Sequence, residues 1–226
     1  MNWRMPFQTK TVFFDRYVFH VWESVYEPAE DSFMIAENLL VSKGEKVLDM
    51  GTGCGILGIV AAEKASLVVS VDINPDAVRC AKENAKINGV AEKMLFINGD
   101  LFSMIRPGVK FDLIMFNPPY LPSDIGEDRE WIAMAWAGGL NGRAVIDRFL
   151  HDVQDYLRIG GRVLLVQSTL ADVDMTLKIF EGKGFKARIV EKRNLPFFEV
   201  LVLIEAWYNN IASSCPIPAN SERYIL

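Results

Sequence analysis

The stretch "FDLIMFNPPY", residues 111–120, joins an apolar run to one amide, two prolines and an aromatic ring. Asn117 and Pro118 each precede a proline, which biases both toward extended backbone and away from helix. Pro118 and Pro119 have φ fixed by their rings and no N–H to donate. The segment is stiff, and it offers acceptors without competing donors: the Asn117 side-chain oxygen and the Pro118 carbonyl. Two converging acceptors hold both hydrogens of a planar –NH2 group. Such a nitrogen, in a carboxamide or an exocyclic base amine, is a poor nucleophile because its lone pair is delocalised. Fixing both hydrogens turns the lone pair toward an electrophile and makes partial pyramidalisation cheaper. Tyr120 can stack on the flat group, contributing about 1 kcal/mol and setting its plane. The chemistry suggested is alkylation of an –NH2 nitrogen, driven by alignment and oriented dipoles with no tuned general base. A Pro-Pro turn that merely closes a strand, with Tyr120 as packing, is the plainer alternative, and the residues upstream decide between them.

Those residues include "LDMGTGCGILG", which puts Gly51, Gly53 and Gly55 directly after an apolar run. Glycines at the carboxyl edge of an α/β sheet let the backbone approach a ligand closely. Gly53, Gly55 and Gly58 literally match G-x-G-x-x-G, and Asp72 lies 19 residues after Gly53, as in a dinucleotide site. The loop alone does not choose a ligand. Asp49, two positions before the first glycine, argues for a cation, because a carboxylate there would repel a pyrophosphate. S-adenosylmethionine carries an ammonium and a sulfonium and no phosphate. Asp72, with Ile73 beside it, would then accept from both ribose hydroxyls. Asp100, ending "INGD", would sit by the adenine amino group with Leu101 against the ring, and Asn117 would lie beside the donor. A single Asp after a strand is more often a loop or capping acid, but three at successive strand ends beside a glycine loop argue against that reading.

Elements that could position these residues alternate from residue 46 onward. Strands are expected at 46–51, 66–73, 92–100 and 111–117, and helices at 55–65 and from Pro75, capped by Asn74, to Gly89. An amphipathic helix over 142–157 is expected to end at Gly160-Gly161 before the strand "RVLLVQS", followed by a helix at about 171–183. Alternation with continuous apolar strands indicates a parallel sheet covered on both faces. The last two strands, near 185–191 and 198–207, leave no room for a crossover helix and should form an antiparallel hairpin. One domain over 1–207 is expected, with an aromatic-rich N-terminal lead (1–31) and a loose tail (208–226).

The 226 residues are half hydrophobic and 23% charged, an ordinary globular composition. The formal charge of −5 argues against a duplex-binding surface, so no direct nucleic-acid binding is expected. No apolar run approaches the ~20 residues that span a bilayer, and no membrane is expected. The N-terminus lacks a signal peptide's apolar core. Cys54, Cys80 and Cys215 are far apart and lack metal-site spacing, as incidental thiols of a cytoplasmic protein would. Two histidines, His20 and His151, are too few for a histidine metal site, and no metal is expected.

Taken together, "DMGTGCGILG", "VDINPDAV", "NGDLF" and "NPPY" resemble the class I S-adenosylmethionine-dependent methyltransferases that modify –NH2 nitrogens. "VYEPAEDSF" (25–33) and "AWAGGLNGRAVIDRF" (135–149) narrow the resemblance to the HemK-like protein-glutamine methyltransferases, in their short archaeal and eukaryotic branch. It covers roughly residues 20–207. It implies a Rossmann-like three-layer sandwich with a seven-stranded, mostly parallel sheet ending in the antiparallel hairpin. It implies methylation of the glutamine amide in the Gly-Gly-Gln motif of a class-one translation release factor. Asn117 and Pro118 would bind that amide and Tyr120 would pack on it, with Pro119 completing the motif. Asp49, Gly51, Asp72, Asp100 and Leu101 would meet the cofactor, and Ser32 occupies the family's small hydroxyl position there. The branch works with a small zinc-binding activator protein. Independently, "KMLFIN" should be an edge strand, and a flat apolar edge needs a cover, either by strand addition from a partner or by the lead or the tail. An adenine or guanine methyltransferase on DNA or RNA is the alternative enzyme, disfavoured by the acidic charge and the lack of a basic stripe. A donor-binding scaffold with a dead site is disfavoured by the intact Asn117–Tyr120 motif.

Overall fold

A computed structural model describes residues 9–123, 130–196 and 199–209. The central sheet has seven strands, the inner ones largely buried on both faces and the two edge strands partly exposed. These are β3 (Lys46–Met50), β4 (Leu67–Asp72), β5 (Met94–Asn98), β6 (Phe111–Phe116), β7 (Leu157–Ser168), β8 (Phe185–Asn194) and β9 (Val200–Tyr208), in the spatial order β5-β4-β3-β6-β7-β9-β8. The first five strands pair in parallel, and β9 pairs antiparallel with both β7 and β8. This is the expected seven-stranded α/β sheet with its terminal hairpin.

Alternate strand residues feed two cores. Val47, Val68 and Leu113 pack with α1 (Glu30–Glu37), α2 (Ile56–Ala61) and α3 (Pro75–Ile87). Leu48, Val69 and Ile114 pack on the opposite face with α5 (Ala144–Asp152) and α6 (Val173–Gly182). The short α4 (Trp131–Met134) lies between β6 and α5 in sequence. The strand order reverses between β3 and β6, which is where open α/β sheets leave a crevice beyond their carboxyl ends.

The N-terminal lead is more ordered than its sequence suggested. Thr9–Phe14 (β1) and Tyr17–Trp22 (β2) form a separate antiparallel hairpin, turning at Asp15 with φ 49°. Two asparagines one turn apart, Asn84 in α3 and Asn88 capping its C-terminus, grip β2. Asn84 accepts from His20 N–H at 2.9 Å and donates to its carbonyl at 2.9 Å, and Asn88 does the same for Val18 at 3.0 and 2.8 Å. The hairpin therefore docks on α3 and adds no strand to β5, which pairs only with β4 among the described residues. Gly160-Gly161 does not precede its strand as expected. The pair lies inside β7 as an irregularity, Gly160 at φ 81°, where the register against β6 slips between Phe111 and Leu113. Tyr208 ends β9, and the rest of the expected tail, from 210, lies outside the described residues. Among the described residues no helix is long and apolar enough to cross a membrane.

Candidate active site

The crevice holds an open cavity of about 1310 Å³, solvent at its mouth included. Gly51, Gly53, Asp72, Ile73, Asp100, Leu101 and the whole Asn117–Tyr120 motif line it, together with Ser32. The sequence placed all of these but Ser32 at four separate strand ends, and the fold brings them together with Ser32, from the first turn of α1, around one crevice. Gly55, expected there too, instead packs against Ala81 of α3 and does not line it.

On the donor side, Gly53 sits at φ +56° with nothing within 4 Å of the position a Cβ would occupy, so the loop leaves a cradle facing the cavity. Asp72 supports that loop, its Oδ2 accepting from Gly53 N–H and its Oδ1 from Asn74 N–H, both at 2.9 Å. Burial pushes the Asp72 carboxyl up, opposed by these backbone donors. Each oxygen of a carboxylate has two acceptor sites, so both retain capacity for a diol. Leu101 is held at φ 47°, a left-handed conformation uncommon for a branched side chain and found where the surroundings over-determine the backbone. Asp100 lies beside it, taking a 2.6 Å hydrogen bond from Arg148 Nη2 of α5.

Asp49 does not line the cavity as expected. It is fully buried behind the glycine loop, where Oδ2 accepts from Thr52 Oγ1 at 2.5 Å and from Gly58 N–H at 3.0 Å. Burial pushes it up to about 7, against those two hydrogen bonds. The reason is steric. Gly58 comes so close that a Cβ there would meet Asp49 Oδ2 at 2.8 Å and Ser70 Oγ at 2.9 Å, so the carboxyl is sealed under α2. Asp49 thus organises the loop, and its oxygen Oδ1 has no hydrogen-bond partner among the described residues. The case for a cationic ligand rests instead on the cavity wall. Its described lining carries Asp31, Asp72 and Asp100, against the single base Arg148, which is tied to Asp100. An ammonium and a sulfonium fit that wall, and a pyrophosphate does not.

On the acceptor side, the first turn of α1 supplies a residue that the sequence reading passed over. Asp31 is buried and accepts from Tyr26 OH at 2.9 Å, Tyr120 OH at 3.0 Å, Ser32 N–H at 2.6 Å and Ser32 Oγ at 3.2 Å. Burial, then the charge of Asp31, holds both phenols far above the ordinary tyrosine range, so both remain donors. Asn117 Nδ2 donates to Ser32 Oγ at 3.2 Å. The direction of this chain follows from chemistry. A carboxylate only accepts, so the Ser32 hydroxyl must give its proton to Asp31 and can only accept from Asn117. The Asn117 NH2 group is thereby committed to Ser32, and Oδ1 is the atom left to accept from a substrate. Ser32 lines the cavity as expected, with its hydroxyl serving this relay. Trp136 packs edge-on against Tyr26 at 4.9 Å, and Trp131 and Trp136 complete the mouth. Tyr26 and Asp31 stood in plain view in "VYEPAEDSF". A helix start after Pro28 was the signal that would have put Asp31 and Ser32 on the first turn, facing the sheet edge.

Comparison with known proteins identifies the family. Residues 27–133 match the family model "Methyltransferase small domain". A Methanocaldococcus jannaschii protein with the provisional name protein N5-glutamine methyltransferase is 43% identical over 185 residues, covering 81% of this chain and 91% of its own. The Homo sapiens methyltransferase HEMK2 is 35% identical over 178 residues, covering 73% of this chain and 81% of its own. Among solved structures, the E. cuniculi Mtq2–Trm112 complex, responsible for methylating the termination factor eRF1, superposes with a TM-score of 0.64 at 26% identity, over 81% of this chain and 98% of the other. The chain belongs to the HemK-like protein-glutamine methyltransferases, class I enzymes that take their methyl group from S-adenosylmethionine.

Proposed function

We propose that this protein methylates the side-chain amide of the glutamine in the Gly-Gly-Gln motif of a class-one translation release factor. The observation that carries the reading is the Asn117–Ser32–Asp31 chain, which leaves Asn117 Oδ1 as an acceptor beside the donor loop. When bound, S-adenosylmethionine supplies an electrophilic methyl group on a sulfonium. Asn117 Oδ1 and the Pro118 carbonyl accept the two hydrogens of the glutamine amide, and Tyr120, anchored through its hydroxyl to Asp31, fixes the plane. With both hydrogens held, the amide lone pair points out of that plane toward the donor side of the cavity. Asp72 holds the ribose, Asp100 and Leu101 meet the adenine, and Ile73 and Gly51 close around the nucleoside. The aromatic mouth of Trp131, Trp136 and Tyr26 limits water at the reacting nitrogen. No side chain need act as a base before transfer, because the proton can leave after the C–N bond forms. Alignment then supplies most of the acceleration.

A small zinc-binding activator protein is the expected partner, adding a strand at β5. That strand has a free edge among the described residues and exposes Leu95 to 55%. The Trm112 partner of Mtq2 supports this by analogy. The buried free thiols Cys54 and Cys80 suit a cytoplasmic setting. A nucleic-acid amine as acceptor is disfavoured by the net charge of −5 and by the single, paired base in the cavity wall.

The test offers tritiated donor separately to release factor, to its Gln→Ala variant and to nucleic acid, with and without the activator. Label in the first alone is expected; label in the nucleic acid, or equal label in the Gln→Ala variant, would overturn the reading.

A further inference from the structure

The segment 136–143 is packed against the acceptor motif more tightly than a covering loop requires. Leu121, directly after Tyr120, donates its N–H to the Trp136 carbonyl at 3.1 Å and accepts from Gly138 N–H at 2.9 Å, and Ser123 N–H reaches the Gly139 carbonyl at 3.0 Å. The segment then folds back on itself. Gly142 N–H bonds to the Gly139 carbonyl at 3.1 Å, and Ala144 N–H to the Gly138 carbonyl at 2.8 Å. This return presses Gly142 onto the motif: a Cβ there would lie 2.3 Å from the Tyr120 carbonyl oxygen, with φ at +73°.

Arg143 braces the contact from behind. It is 2% exposed, and its Nη1 donates to the Ala171 carbonyl at 2.5 Å, the Asp172 carbonyl at 2.7 Å and Thr176 Oγ1 at 2.9 Å. Its Nε and Nη2 hold Asp147 at 3.1 and 2.7 Å. A buried guanidinium that holds a carboxylate, a hydroxyl and two backbone carbonyls does not yield easily. The Tyr120 carbonyl is thus trapped between the motif that follows β6 and a fixed backbone.

We infer that Gly142 is a positioning residue for methyl transfer, setting the Tyr120 carbonyl and through it the Pro118 carbonyl and the Tyr120 ring. The lever is the Pro118-Pro119 pair. Both rings fix φ, so the motif has few ways to absorb a shift at Tyr120, and displacement there is passed to the atoms that grip the acceptor. Misplacement of an aligned reactant by about 1 Å costs on the order of a hundredfold in rate. Donor binding involves different residues and is unaffected. The inference rests on the reading that this motif holds an amide nitrogen.

Gly139 supplies the control. It lies in the same segment at φ +78°, but a Cβ there meets only Ala144 Cβ, at 3.0 Å. Gly142→Ala is expected to lower kcat by about tenfold or more, with the dissociation constant for S-adenosylhomocysteine within about twofold of the parent, while Gly139→Ala keeps kcat within about threefold. Parent-like kcat in Gly142→Ala, or equal losses in both variants, overturns the inference. If Gly142→Ala fails to fold, Asn141→Ala serves instead. That side chain is exposed and accepts from Arg143 N–H at 3.1 Å, and its loss should lower kcat about threefold at unchanged donor affinity; no effect on kcat counts against the clamp. The Leu121 amide resonance gives a readout free of any acceptor. It should move in Gly142→Ala and stay in Gly139→Ala. A parent protein that methylates no amide would refute the functional reading, whereas an unmoved Leu121 resonance would refute the clamp.

Discussion

Asn117 and Asp31 stand on different elements, 86 positions apart in sequence, yet one hydroxyl joins them: Asn117 Nδ2 to Ser32 Oγ at 3.2 Å, and Ser32 Oγ to Asp31 Oδ1 at 3.2 Å. The pairing gives the Asn117 carboxamide a fixed polarity. An asparagine turned the other way would present NH2 to a substrate NH2, and transfer would stop. Asn117→Ala is expected to abolish transfer with donor affinity within a few-fold. Asp31→Asn, which lets an amide donate to Ser32 and reverse the chain, should cost at least about tenfold in kcat. Ser32→Thr should retain activity where Ser32→Ala loses it. Single-turnover transfer beside calorimetric donor binding separates these outcomes, and parent-like kcat in Asp31→Asn would refute the polarity argument.

Asp72 is expected to carry donor affinity instead of rate. Its two oxygens fix Gly53 and Asn74 while facing the cavity. Asp72→Ala removes both the loop brace and the diol acceptor, and should weaken S-adenosylmethionine binding by more than about tenfold. Asp72→Asn keeps one acceptor oxygen and should fall between. Calorimetry with S-adenosylhomocysteine reads this without turnover.

The α/β alternation, the hairpin and the donor loop were legible because each depends on short-range signals: apolar runs, a proline after a capping asparagine, glycines after a strand. Asp31 and the β1–β2 hairpin were not. Asp31 gains its role from Tyr26, Tyr120 and Asn117, which only the folded chain assembles. The hairpin carries exposed residues on one strand and is fixed by asparagines at the end of α3, and its Asp15-Arg16 turn has no Gly or Pro to announce it. Asp49 was misread for the opposite reason. Its position in the motif was right, but the absent Cβ of Gly58 lets α2 seal it away from the cavity.

That sealed carboxyl has a pH signature. Asp49 is raised from 3.8 to about 7 by burial, so between those values the folded protein holds a proton that the unfolded chain has released. Folding stability from this group is therefore fullest below about pH 4 and declines as pH rises to about 7, by a few kcal/mol in order of magnitude. Asp49→Asn should flatten that part of the stability profile. Thermal melts of parent and variant from pH 5 to 8 check this: the gap between them should change with pH in the stated direction, and parallel profiles would refute it.

Asn84 ties the N-terminal hairpin to the donor loop, and its loss should be felt at both. Its single NH2 group donates to the His20 carbonyl at 2.9 Å and the Cys54 carbonyl at 2.8 Å, while its oxygen accepts from His20 N–H at 2.9 Å. The side chain is fully buried, so Asn84→Ala takes the partner from the His20 N–H and from the Cys54 carbonyl and leaves the His20 carbonyl only the Cys80 thiol, 3.1 Å away, at a cost of ~1–3 kcal/mol for each unpaired group before any rearrangement. Asn84→Asp keeps the acceptor for His20 but has no hydrogen for either carbonyl, and sets a carboxylate against two carbonyl oxygens. It should therefore be at least as destabilising as alanine, despite being nearly isosteric. Cys54 lines the cavity beside Gly53 of the loop, so both variants should also weaken donor binding several-fold. Asn88→Ala, which loosens the same hairpin without touching the loop, should lower the melting temperature alone. Melting curves and S-adenosylhomocysteine titrations on the three variants decide this: parent-like donor affinity in both Asn84 variants would show that the hairpin and the loop are not coupled through Asn84.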